Sequence, residues 1–163
     1  SYHNGSVWPH DNAVIAAGLM RYGFVAEAQR ISTALLEAAE YSDGRLPELF
    51  CGFSRDQFAE PVPYPTACSP QAWAATTPIQ LVTTLMRYDT HVSRGGFWMD
   101  PALPESYGDL HITNAPMGGG RITIDIANSV PAVQGLPEGL VFHKGHRPWL
   151  AELVKEAGLH RKG

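Results

Sequence analysis

Cysteine is scarce in this chain of 163 residues. Cys51 and Cys68 are the only two, and they lack the CxxC spacing of a zinc ribbon or redox dithiol, so free thiols are expected. No apolar run approaches the ~18 residues that a membrane helix requires. Nor does the N-terminus carry the charged-then-apolar layout of a secretory leader, so a soluble, cytoplasmic protein with no membrane partner is expected. Basic runs are absent too, and the net charge of -4 offers little to neutralise phosphates, which argues against nucleic acid as a partner and leaves neutral ligands such as sugars open. There is no pair of histidines at helical spacing with a glutamate, and no Gly-x-Ser-x-Gly elbow. No metal or cofactor is expected.

What the chain does have is concentrated at its start. Tyr2-His3-Asn4-Gly5-Ser6-Val7-Trp8-Pro9-His10-Asp11-Asn12 brings aromatic, imidazole, carboxylate and amide groups together, then runs into the apolar segment Ala13 to Met20. This is how a ligand-facing loop feeding a buried helix looks. Because so little precedes that segment, it reads as a piece of a larger enzyme.

Pro9 suits a first helical turn and Gly23 a stop, which predicts a helix over 9–22, apolar on nearly every side and so buried all round. A second helix is predicted over 25–39. There Val25, Ala28, Ile31, Leu35 and Ala38 recur at helical spacing between Glu27, Gln29, Arg30 and Glu37, the pattern of an outer, amphipathic helix. From 40 to 68 the pattern breaks into Gly, Pro, aromatic and charged residues, a connection long enough to be functional. Ser69 as N-cap and Pro70 in the first turn then predict an apolar helix reaching Tyr88, kinked or split by Pro78. The alternation of buried and amphipathic helices fits a toroid of helical hairpins better than a plain four-helix bundle. The expected fold is therefore mainly α, a partial (α/α)6 toroid over 1–94, with a β-rich appendage and terminal helix over 95–163. In that appendage Leu110–Thr113, Arg121–Ile126 and Leu140–Phe142 are read as strands of a small antiparallel sheet, and Pro148–Leu159 as a short helix.

Among the carboxylates, Glu48 lies mid-loop in Arg45-Leu46-Pro47-Glu48-Leu49-Phe50. Held in a rigid, partly dry loop it can act as a general base, or it can simply pair with Arg45 or Arg55. Asp11 is either a favourable first-turn charge or an acceptor for ligand hydroxyls. Trp8, Phe53, Phe58, Tyr64 and Trp73 offer flat apolar surface beside polar loops, as sugar rings require, though each also suits a core. His3, His10 and Asp11 lack the spacing of a metal site. Ser69 fits a cap better than a nucleophile.

Three segments taken together resemble a known family. The loop Tyr2–Asn12, then Arg45–Phe50, then Pro63-Tyr64-Pro65-Thr66-Ala67-Cys68-Ser69-Pro70-Gln71-Ala72-Trp73-Ala74 are similar, in that order, to the C-terminal half of bacterial glycogen-debranching or amylo-alpha-1,6-glucosidase enzymes. That likeness is strongest through Trp73 and thinner to Phe142, where Gly135-Leu136-Pro137-Glu138-Gly139-Leu140 looks like a closing β appendage. The resemblance implies a six-hairpin α/α toroid that hydrolyses α-glucosidic bonds by an inverting pair of carboxylic acids. It further implies Glu48 as the general base, Trp8, His10 and Asp11 as the lining of a glucosyl subsite, and Arg55, Gln71 and Trp73 as further residues of that pocket. The partner acid of such enzymes comes from an earlier part of the fold. A chain with only this part is expected to bind α-glucan, to lack turnover alone, and to associate with itself or with a separate first half through apolar helix faces. A noncatalytic carbohydrate-binding or assembly module is the alternative.

Overall fold

The first helix begins where the sequence puts a proline. In the computed structural model, which describes residues 2–149, α1 spans Pro9–Arg21. Pro9 stands where a backbone N–H would have had no helical partner. No side chain caps this end, but Asn12 Nδ2 donates back to the Trp8 carbonyl at 2.9 Å. Gly23, at φ 88°, takes the left-handed turn into α2, Val25–Glu40. That helix buries Ala28, Ser32, Leu35, Ala38 and Ala39 and exposes Glu27, Arg30, Glu37 and Glu40, the amphipathic pattern its sequence carries.

The third helix, α3, spans Ala72–Leu85 and starts later than Ser69 and Pro70 suggest. Its N-cap is Gln71, whose side-chain oxygen accepts the Ala74 N–H at 3.2 Å. It runs through Pro78 without being split. Ahead of that proline, the hydroxyls of Thr76 and Thr77 donate to the Trp73 carbonyl at 2.9 and 3.1 Å. It ends before Tyr88 because Arg87 takes a left-handed φ of 47°, which no right-handed helix continues through.

All three helices share one core. Ala13 and Ala16 of α1, Leu35 of α2 and Leu81 of α3 are buried together, flanked by Ile31 and Leu36. Toward one end Met20, Ala28 and Leu85 close this core with Ala102 and Leu103, a returning segment tied by Ala102 N–H to the Leu85 carbonyl at 2.8 Å. Toward the other, Ala38, Ala39, Leu46, Phe50 and Ala74 bring the long loop onto the helices. Two short strands, β1 (Ser6–Val7) and β2 (Phe50–Cys51), pair antiparallel with Ser6 opposite Cys51 and Val7 opposite Phe50. This ladder fastens the segment before α1 to the loop that carries Glu48.

The described residues divide into two compact units, one comprising 2–86 with 102–104 and the other 87–101 with 105–149. In the second, β3 (Asp89–His91), β4 (Gly96–Met99) and β8 (Val141–Lys144) form one sheet, β3 antiparallel and β8 parallel to β4. A meander of β5 (Leu110–Met117), β6 (Gly120–Ala127) and β7 (Val130–Gln134) forms another. Ile122, Ile124 and Ile126 bury every second side chain of β6, the period of a sheet with one covered face.

The mainly α toroid is not what forms. Among the described residues there are three helices and three small sheets, a mixed α/β architecture. The helices also assemble as one group of three and not as an alternating ring. Strands of two to five residues, such as β1, β2, β3, β4 and β7, are too short to register as periodic patterns, so they read as connections. Leu140–Phe142 belongs to no antiparallel sheet, because β8 lies parallel to β4 in the other one. The helices are not buried all round either. Val14 and Ile15 on α1 are 69% and 53% exposed and Ile79 on α3 is 67% exposed, since apolar content reveals how much a helix can bury and not which side finds a partner. The helix expected over Pro148–Leu159 lies, but for its first two residues, outside the described residues.

Candidate active site

Glu48 occupies a polar clasp made by Tyr2 and Cys68. Its backbone N–H donates to the Cys68 carbonyl at 3.0 Å, which joins two loop segments. The carboxylate then accepts twice, Oε1 from the Tyr2 hydroxyl at 2.6 Å and Oε2 from the Cys68 N–H at 3.2 Å. The residue is 8% exposed, and neither Arg45 nor Arg55 is what holds it. The Tyr2 hydroxyl, then the Cys68 N–H, hold the carboxyl below the usual carboxylate range; burial opposes them, and the Cys68 thiol and His10 add smaller contributions in the same downward direction. Glu48 is therefore a carboxylate at neutral pH. The same bond, from the other side, pushes the Tyr2 phenol up to about 12.

Around this pair the loop motif stacks its rings. Tyr2 meets His3, Trp8 and Tyr64 edge-on, with centroids 4.8, 4.9 and 5.8 Å apart. His3 lies parallel to Trp8 at 6.0 Å, and Trp8 presents its edge to His10 at 5.8 Å. His10 in turn stacks on Trp73 at 4.4 Å, bridging the first turns of α1 and α3. Edge-to-face and offset contacts of this kind each add about 0.5–1.5 kcal/mol beyond simple burial. His10 Nε2 lies 3.1 Å from Asp11 Oδ1, an acceptor, while its Nδ1 is buried without a partner. Trp73 keeps 53% of its surface exposed.

No protein-family model and no curated protein matches this chain.

A chain of contacts links Glu48 through Tyr2 to Trp8, then to His10 and Trp73. Asp11 is exposed and engaged with His10. Gln71 spends its side-chain oxygen on capping α3. Arg55 belongs elsewhere: its Nη2 pairs with Glu37 Oε2 at 2.8 Å on the outer side of α2. It shares a groove of about 240 Å³ with Tyr41, Phe50, Phe53 and Phe58. Phe53 and Phe58 therefore lie against each other at 5.0 Å there, and not against the glutamate. Sequence reasoning missed Tyr2 and Cys68. Tyr2 had a signal, its place inside the dense opening motif, but Cys68 acts chiefly through its backbone N–H, which residue type does not reveal. Among the described residues no group of three or more His, Cys, Asp or Glu converges to hold a metal. An ionised carboxylate clasped by two donors, with a second lone pair on each oxygen, can take a proton from water or accept from a ligand hydroxyl.

Proposed function

We propose that this chain carries the general base and the sugar-facing rings of an inverting glycoside hydrolase acting on α-glucosidic bonds, of the glycogen-debranching, amylo-alpha-1,6-glucosidase kind. The observation that carries the reading is the nearly buried Glu48 bonded to Tyr2, whose ring meets Trp8 and Tyr64 and through Trp8 continues to His10 and Trp73. Glu48 takes a proton from water as that water attacks the anomeric carbon, on the side opposite the leaving oxygen. Trp73 and Trp8 offer C–H-binding ring surface, and the exposed carboxylate of Asp11, beside His10 Nε2, accepts from sugar hydroxyls. The setting is cytoplasmic and the ligand an α-glucan or oligosaccharide. No helix among the described residues is long and apolar enough to cross a membrane.

An inverting pair needs a second carboxylic acid, and Asp11, engaged with His10, is a binding group in this reading. We assign the acid to a partner that completes the site, a second copy docking on the outer sides of α1 and α3. Support comes from α3, which has no charged residue along its length, and from the exposed Val14, Ile15 and Ile79. The same shortage favours a second reading, a noncatalytic carbohydrate-binding module. Calorimetry with an α-1,6-branched malto-oligosaccharide separates them from a purely structural role. Binding that survives Glu48→Gln and weakens about tenfold or more in Trp73→Ala is expected, and no affinity for any α-glucan sinks both readings. With the completing partner present, Glu48→Gln should lower hydrolysis by several orders of magnitude. Persistent absence of turnover would leave the binding module.

A further inference from the structure

We propose that Tyr2 is the positioning residue for Glu48, fixing through its hydroxyl which lone pair of the carboxylate faces the water to be activated. The inference rests on the hydrolase reading and extends it to a residue on the other side of the clasp. A carboxylate with one anchored oxygen still swings about its terminal torsion, which is broad. Here both oxygens are anchored, Oε1 by Tyr2 and Oε2 by the Cys68 N–H. The Cys68 anchor is backbone within the loop, whereas the Tyr2 anchor arrives from 46 positions away in sequence.

Tyr2 is itself aimed by its neighbours. Three rings meet it edge-on, His3, Trp8 and Tyr64, so its phenol direction follows the loop that also carries Trp8 and His10. The sugar-facing rings and the base are thereby set in one frame, and a ligand that seats on Trp8 seats at a fixed distance from Glu48. The charged and titratable groups acting on this pair are His10, Tyr64 and Cys68. A bond of this kind also lowers basicity, so the base stays ionised in mild acid at the cost of proton affinity.

The test is a carbon-13 carboxylate titration by NMR, with Glu48→Gln identifying the Glu48 signal. In Tyr2→Phe the Glu48 midpoint moves upward, while in Tyr64→Phe, which keeps the hydroxyl of Tyr2, it stays in place. With the completing partner and an α-1,6-linked malto-oligosaccharide, Tyr2→Phe lowers kcat about tenfold to a hundredfold with little change in KM, and the acidic limb of the profile moves upward with the NMR midpoint. An unmoved midpoint in a folded Tyr2→Phe protein overturns the proposal, as does a moved midpoint with unchanged plateau kcat. A moved midpoint in a protein whose parent hydrolyses no α-glucoside supports the clasp and removes the hydrolase. Should Tyr2→Phe not fold, the reciprocal reading is the Tyr2 phenol in Glu48→Gln, which falls from about 12 toward 10 if the bond exists and stays high if it does not.

Discussion

Replacing Gly52 by alanine should loosen the site without touching it. A Cβ at this position would lie 2.1 Å from the Gly5 carbonyl oxygen and 2.8 Å from its carbon. Both are backbone atoms of the segment that carries Tyr2, so no side chain can swing aside. Forcing such an overlap costs about 1–3 kcal/mol. The other escape is for the opening segment to peel away, which loses the 2.8 Å bond from Gly52 N–H to the Gly5 carbonyl and the β1–β2 ladder beyond it. Each such bond contributes about 0.5–1.5 kcal/mol, so a loss of about 2–3 kcal/mol is expected whichever route the chain takes. Gly5→Ala is the matching control. No atom lies within 4 Å of its Cβ position, but its φ of +82° is left-handed, so the cost is about 1–2 kcal/mol of backbone strain without a clash. Urea unfolding followed by tryptophan fluorescence reads both stabilities, and the Tyr2 phenol titration reads the clasp. Gly52→Ala should bring Tyr2 down from about 12 toward its ordinary value, whereas Gly5→Ala should lower it less. A Gly52→Ala protein within about 0.5 kcal/mol of its parent, with Tyr2 still high, would refute the idea that this close approach holds the loop in place.

Arg55→Ala should change stability by less than about 1 kcal/mol and leave α-glucan affinity unaltered, because its ion pair with Glu37 is solvent-exposed and apart from Glu48. Thermal melting and calorimetry check the two halves of that statement. Leu81→Ala removes a fully buried side chain between all three helices and should cost about 2–5 kcal/mol in urea unfolding. Ile79→Lys, at a position 67% exposed, should move stability by no more than about 0.5 kcal/mol yet weaken any association through the α1 and α3 faces, read by sedimentation equilibrium. Glu48 has a folded-state pKa lowered by Tyr2 and Cys68. Its stabilising contribution is therefore complete above the unfolded carboxylate range and is lost as pH falls through the lowered folded value. The stability gap between the parent and Glu48→Gln should accordingly be constant near neutrality and close in acid, and a gap that widens in acid would contradict the assignment.

Local order was legible where one residue type dictates one backbone state. Pro9 and Gly23 bounded α1, the heptad-like spacing of Ala28, Leu35 and Ala38 marked the covered side of α2, and Ile122, Ile124 and Ile126 alternated as a strand must. Glu48 could be singled out because a carboxylate between proline and large apolar groups is out of place in an ordinary loop. Its partners could not, since Tyr2 and Cys68 stand 46 and 20 positions away and one of them acts through a peptide N–H that every residue but proline possesses. Arg55 illustrates the converse: its residue type suited the pocket, but Glu37 on α2 was nearer. The sequence by itself determined the helical segments of the first unit, the alternating strands of the second, and the dense polar and aromatic composition of the opening loop. Only tertiary structure decided that the helices gather in one group of three, that β8 runs beside β4, and that the opening loop closes over Glu48. Those outcomes depend on contacts between residues far apart in the chain, whose free energy is set by which surfaces meet and not by what any local stretch prefers.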